Sequence, residues 1–512
     1  LHMQKLIAEL EKQLQKIRID LGELKKNSKP GELYDVPTLP QDVIIKSPVF
    51  NKLKGQLLVE VDDAQRPPLL LEAPSGMGKS VMASAVARNN EIRTAFPDGI
   101  FWITLGRDAD LLTHQRKLIK LMTGNDAIIL DVEEGTEKLR EIFATTTCLL
   151  IFDDVTDAQD ILPFNVLGEY CQILLTSSNK DLFSILQYFI QSAQQFTFET
   201  FNEATAVKYF MSAVNRKGLT LDTSPINLVN LVKICEYLPA AIKLTASVAR
   251  QQPVDQWKTL LQNVKNKDFD WSEKHPHVLT QALFLNVEEL GEQGEYYLAL
   301  AVFADYNRIP QKAVTMLWHY LYQLLPEEAD DFINGLAKKG LLEIHVSKTQ
   351  RYLRLHTYQY DYLVNESDVD KLHTHLLAAY RRTCGQHGWM SGPKDGYFFD
   401  YLCWHLYYAN RKTELKLLLL DFDWMESKLQ ATQIHALLND YELLEDKEIE
   451  MVKQALYNAA YVLMQNKEEL ANQLLDHLWG QVPEESKGLQ ALLHQAQEKS
   501  PDWHWEPPFP EL

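Results

Sequence analysis

The chain has 512 residues, 46% of them apolar, with 51 Lys and Arg set against 70 Asp and Glu. That length exceeds what one core can fill, so three or four domains are expected, and the formal charge of −19 argues against a nucleic-acid-binding surface as the main business of the chain. No apolar run approaches the ~18 residues a membrane span needs, no leader pattern opens the chain, and Cys148, Cys171, Cys235, Cys384 and Cys403 lack metal or C-x-x-C spacing, which predicts reduced core thiols in a cytoplasmic protein.

In chain order, Ile7, Leu10, Leu14, Ile17, Leu21 and Leu24 alternate spacings of three and four in a Lys/Glu/Gln background. That is an a/d seam, and residues 1–28 read as a helical segment that either forms a short coiled coil or packs on its own protein. Lys29-Pro30-Gly31 stops it, and Pro37 and Pro40 keep the linker extended. From residue 41 to 200, apolar strand runs at Leu69–Leu71, Gly99–Leu105, Leu149–Phe152, Gln172–Thr176 and Phe196–Phe201 alternate with helical stretches, which predicts a parallel α/β sheet.

The first of these strands runs into Ala73-Pro-Ser-Gly-Met-Gly-Lys-Ser80 and then a helical stretch, Val81 to Arg88. This is a phosphate-binding loop with Ala73 in place of its first glycine. Gly76 and Gly78 let backbone N–H groups of Ser75, Met77 and Val81 curl around phosphate, Lys79 reaches the β/γ oxygens, and the Ser80 hydroxyl can ligate Mg²⁺. About seventy residues on, Cys148-Leu-Leu-Ile-Phe-Asp-Asp-Val155 is a buried-strand run ending in two carboxylates. At the carboxyl end of a parallel strand, Asp153 would hold Mg²⁺ and Asp154 would orient an attacking water.

After residue 201 the periodicity turns helical: a small bundle over 201–284, then helices with two short strands around Leu342–His345 and Tyr352–His356. That order, with a Gly340 stop, predicts a winged helix over 285–368. Residues 369–512 read as a second helical domain, whose stripes Tyr397–Leu406 and Glu414–Trp424 are core rather than a ligand site. The fold class expected is therefore multidomain: an α/β P-loop NTPase domain followed by helical-bundle, winged-helix and helical domains.

These residues resemble the NB-ARC branch of the STAND signalling ATPases, which includes plant disease-resistance proteins, the apoptotic protease-activating factor and bacterial proteins with WD repeats. Besides the two nucleotide motifs, Ile173-Leu-Leu-Thr-Ser-Ser-Asn-Lys180 looks like the family's sensor strand, Tyr237-Leu-Pro-Ala-Ala241 like its Gly-Leu-Pro-Leu-Ala motif, and Leu355-His-Thr357 stands where Met-His-Asp ends the winged helix. The resemblance implies that Pro239 packs on adenine, that His356 reaches the β-phosphate of ADP, and that Ile45 and Lys46 supply contacts at the adenine edge. It further implies a switch that binds ADP when closed and exchanges it for ATP to open and self-oligomerise. The signal would be a protein ligand sensed through a WD-repeat propeller that would follow the Trp503–Leu512 tail. Where the family has a sensor arginine this chain has Ser178, and Thr357 replaces the aspartate. Turnover is expected to be slow at best. The rivals are a working ATPase motor and a helical scaffold with a vestigial loop. The opening Leu1-His2-Met3 looks like a cloning remnant, and truncation at both ends is expected.

Overall fold

The computed structural model describes residues 29–503 except 41–42, 46, 60–65, 107–109, 126–128, 130, 198, 215–224, 253–255, 258–274, 305–307, 348–349 and 484. The seam at residues 1–28, Lys46 and the tail beyond Trp503 lie outside the described residues. The chain divides into two compact units at Ala282/Leu283.

The first unit is built on a six-stranded sheet of order β1-β3-β4-β5-β2-β6, all pairs parallel. Its strands are β1 (Leu33–Tyr34), β2 (Leu69–Glu72), β3 (Ile100–Gly106), β4 (Leu149–Val155), β5 (Gln172–Ser177) and β6 (Gln194–Thr197). Side chains alternate faces along a strand, and both faces here are covered. Leu70, Leu150, Phe152, Ile173 and Leu175 enter one core; Leu69, Leu71, Leu149, Ile151 and Leu174 enter the other. Continuous apolar runs are the consequence, and they stop where the strands reach the polar carboxyl edge at Glu72, Asp153 and Thr176.

Two local features depart from the sequence expectation. β1, expected to be linker, pairs with β3, and the Glu32 carbonyl accepts from Ile100 N–H. The last strand ends at Thr197 rather than Phe201, because Phe201 N–H donates to the Tyr237 carbonyl instead of to a strand. The small bundle follows as helices Glu203–Val214, Pro225–Ile234 and Pro239–Ala249. Glu236 and Tyr237, at φ +50° and +57°, turn the chain between the last two, so Pro239 falls at a helix start where its missing N–H costs nothing.

In the second unit, β7 (Ile309–Pro310), β8 (Glu343–Ser347) and β9 (Gln350–Arg354) form an antiparallel sheet of order β7-β9-β8. Helices Gln311–Tyr322 and Pro326–Lys339 lie between β7 and the hairpin, and Thr357–Asn365 follows it. This is the element order expected of a winged helix. Gly340, at φ +75°, ends the second of these helices with its N–H on the Leu336 and Ala337 carbonyls, as the glycine stop required. From Val369 to Lys499 the chain is helical. The aromatic stripes of that part are core: Phe398, Phe399 and Trp424 are buried, with the last two rings stacked 5.6 Å apart.

Candidate functional site

The carboxyl edge of the first sheet gathers the predicted polar residues into one place. Between β2 and the helix Lys79–Ala87 the loop turns through Gly76 at φ +81° and Gly78 at φ +91°. Gly78 occupies the helix N-cap and offers no side chain to its orphan N–H groups, so the positive end of the helix is open to an anion. No atom lies within 4 Å of where a Gly78 Cβ would stand. Met77 is buried behind the loop, and Val81 is half-buried in the first helical turn.

Lys79 is the unusual group. Its Nζ donates to the carbonyls of Ala73 at 2.7 Å and Pro74 at 3.2 Å, and neither partner carries charge. Burial lowers its pKa from 10.5 to about 8, against the opposing pull of Asp154, Asp153 and Glu72. Holding an ammonium in this way has an energetic cost that an incoming anion would relieve.

Opposite the loop, Ser80 Oγ donates to Asp153 Oδ1 at 2.6 Å, and Thr176 Oγ1 donates to the same oxygen at 2.7 Å. The Thr176 hydroxyl also accepts from Asp154 N–H at 3.0 Å. β5 lies between β2 and β4, so a residue at its carboxyl end can reach both carboxylate-bearing positions. Asp154 sits at φ +60°, in the left-handed region that Asp enters more readily than most non-glycine residues. Ser177 Oγ donates to the Val155 carbonyl and accepts from Asn179 N–H, which fixes the turn that carries Ser178.

The small bundle closes on the same loop. Ala240 N–H, in the first turn of helix Pro239–Ala249, donates to the Gly76 carbonyl at 3.1 Å. A Cβ on Gly76 would stand 2.9 Å from Ala240 Cβ and 3.1 Å from Leu279 Cδ2. Pro239 therefore lies beside the phosphate loop. Ile45 is half-buried against the core that includes Met82 and Ala83 of the loop helix.

His356 belongs to the second unit, at the N-cap of helix Thr357–Asn365. Its Nε2 lies 3.3 Å from Glu343 Oε1, and its ring stacks on Tyr358 at 5.5 Å. Burial raises the Glu343 carboxyl, but His356, His345 and Arg354 outweigh it and hold that carboxyl well below the usual range.

Two residues of the first unit's site were missed in the sequence. Thr176 is the first polar residue after an apolar strand run, and that position next to the Asp pair was a usable signal. His275, whose Nδ1 lies 2.9 Å from Ser75 Oγ, approaches from 200 residues away and has no sequence signature.

The residues present fit a phosphate-bearing ligand: an uncapped helix start, a buried lysine hydrogen-bonded to two carbonyls, and a loop that only glycine can shape. Ser80 and Asp153 fit a cation that brings further ligands with it. Among the described residues no group of three or more His, Cys, Asp or Glu side chains could hold a metal by itself. Mg²⁺ characteristically binds through one or two protein groups plus phosphate oxygens.

Fold and site together define a P-loop NTPase with a helical extension. Residues 48–220 match the NB-ARC domain and residues 369–478 the APAF-1 helical domain, so the chain carries both domains. It is 27% identical over 428 residues to apoptotic protease-activating factor 1 of Danio rerio, covering 79% of this chain and 32% of that protein. It is 26% identical over 399 residues to the Homo sapiens factor, covering 73% and 31%. A disease-resistance-type protein of Arabidopsis thaliana is 24% identical over 298 residues, 57% of this chain and 45% of its own length. The chain thus spans about a third of the apoptotic factors it matches. Among solved structures, the signal transduction ATPase with numerous domains and a tetratricopeptide repeat sensor from Pyrococcus horikoshii aligns over 92% of this chain and 78% of its own, at TM-score 0.46 and 11% identity. Among the described residues no helix is long and apolar enough to cross a membrane.

Proposed function

We propose that the chain is a nucleotide-dependent signalling switch that holds ADP in a closed, autoinhibited state and exchanges it for ATP to open and self-oligomerise. The observation that carries this reading is Lys79, a buried ammonium resting on two carbonyls at the mouth of an uncapped helix. In this proposal the backbone from Ser75 to Val81, through Gly76, Met77 and Gly78, wraps the phosphates and Lys79 neutralises their charge. Ser80 and Asp153 hold Mg²⁺, and Asp154 orients a water. Ile45 and Lys46 border the adenine, Pro239 packs on it, and His356 contacts the β-phosphate. The proposed domain limits are 1–28, 41–200, 201–284, 285–368 and 369–512, with a protein ligand sensed through a propeller beyond the last.

Ser178 supports a switch over a motor. An arginine acting on the γ-phosphate stabilises transition-state charge by several kcal/mol, and a serine hydroxyl does not replace it. The physics of the switch is population shift: moving a protein from ~1% to ~99% open requires about 5.5 kcal/mol of differential binding. His356→Ala tests the latch. Loss of ADP affinity with a larger open or oligomeric fraction, seen by size-exclusion light scattering, is expected; unchanged affinity and unchanged population contradict it. Turnover above about 1 s⁻¹ in purified protein would point to the motor instead.

A further inference from the structure

The hydrogen bond between His275 and Ser75 places an imidazole at one particular end of the phosphate loop. Lys79 Nζ, the group that meets the outer phosphate oxygens in such loops, rests on the carbonyls of Ala73 and Pro74. Ser75 follows those residues directly and precedes the helix N-cap Gly78 by three positions, which points to the outer-phosphate end of the loop for its hydroxyl. The imidazole joins it there, with Nδ1 2.9 Å from Ser75 Oγ.

Its approach is braced. Pro276 opens the turn that becomes helix His277–Glu288, and its carbonyl accepts from Leu279 N–H at 2.9 Å. The Leu279 side chain of that same turn lies against Gly76, 3.1 Å from where a Cβ would stand. Ring and helix turn therefore touch consecutive loop residues, Ser75 and Gly76. A change at the outer-phosphate end would be felt at the start of that helix.

We propose that His275 is the residue by which this loop distinguishes a nucleoside triphosphate from a diphosphate. With a diphosphate its ring stays bonded to Ser75 Oγ; a terminal phosphate takes over that bond, and the imidazole donates to it. The inference rests on the nucleotide-binding reading of the loop and adds which residue reads the third phosphate.

The test uses the full chain, stripped of nucleotide, titrated calorimetrically with ADP and with Mg–ATP. His275→Ala is expected to weaken ATP at least tenfold while ADP changes by less than threefold, so the ATP/ADP affinity ratio falls about tenfold. Should His275→Ala fail to fold, His275→Leu fills the space without a hydrogen-bonding group, and the same selective loss of ATP is expected. His275→Arg, which keeps an N–H donor at this position, is expected to restore at least part of the ratio. Equal weakening of both nucleotides would make the ring a mere prop for the loop, and no change in either would leave it without a role; each result overturns the proposal. If Lys79→Met retains both affinities, the nucleotide-binding reading falls first and this one with it.

Discussion

Among the described residues two lysines are buried, one in each unit, and they are handled in opposite ways. Lys428, fully buried between helices of the second unit, donates to Asp440, itself buried, so charge meets charge. Burial raises the Asp440 carboxyl, and Lys428 together with Cys403 pulls it back. Lys79 is almost as deep, yet its ammonium rests on two carbonyls and its pKa drops to about 8. A buried ion pair is satisfied internally, whereas a buried cation whose hydrogen bonds go to carbonyls, with its carboxylates only a partial offset to burial, is poised for an anion from outside. The first arrangement belongs to architecture and the second to a site.

The same substitution at both positions breaks or sustains this contrast. Lys428→Met strands the Asp440 carboxyl in the core and is expected to cost about 3–5 kcal/mol by chemical denaturation. Lys79→Met removes a poorly compensated charge and is expected to stabilise the nucleotide-free protein by on the order of 1–3 kcal/mol at pH 7 while weakening nucleotide at least a hundredfold. If both variants are destabilised alike, the contrast fails.

The pH dependence sharpens it. Lys79 has a folded pKa near 8, below its ordinary 10.5, so the unfolded chain holds more protons between those values. The cost of burying the ammonium is therefore fully present below pH 8 and is relieved as pH rises toward about 10.5. The stability difference between wild type and Lys79→Met should shrink over that window. Nucleotide affinity should run the other way and decline above pH 8, because the deprotonated amine no longer attracts phosphate.

Smaller effects are expected at the supports. Thr176→Val deletes the donor to Asp153 and the acceptor of Asp154 N–H, and should cost about 1–3 kcal/mol in thermal unfolding. It should also blunt the gain in nucleotide affinity that Mg²⁺ provides. Lys416, a half-buried partner of Asp446 and Glu448, should cost no more than about 1 kcal/mol when changed to Ala, and that cost should fall with added salt.

Much of the site was legible in the sequence because its chemistry dictates residue types. A strand buried on both faces must be apolar throughout, so Leu149–Phe152 followed by Asp153-Asp154 marks the edge of a sheet. The loop glycines are dictated by positive φ. What was not legible depends on backbone partners or on distant chain. β1 is a two-residue strand defined only by pairing with Ile100 and Phe101. β6 falls at Gln194–Thr197, with Gln195 Nε2 on Glu72 Oε2, and nothing in its own residues sets that register. The contact of Ala240 with Gly76 and of His275 with Ser75 join segments more than 160 residues apart, and no local pattern announces either.

The central claim is that Lys79 holds a diphosphate-bearing nucleotide. Mass spectrometry of small molecules released by heat from the purified wild-type chain and from Lys79→Met tests it directly. Close to one ADP per wild-type chain and none from the variant is the predicted result. A wild-type chain without nucleotide, or equal amounts from both proteins, would contradict it.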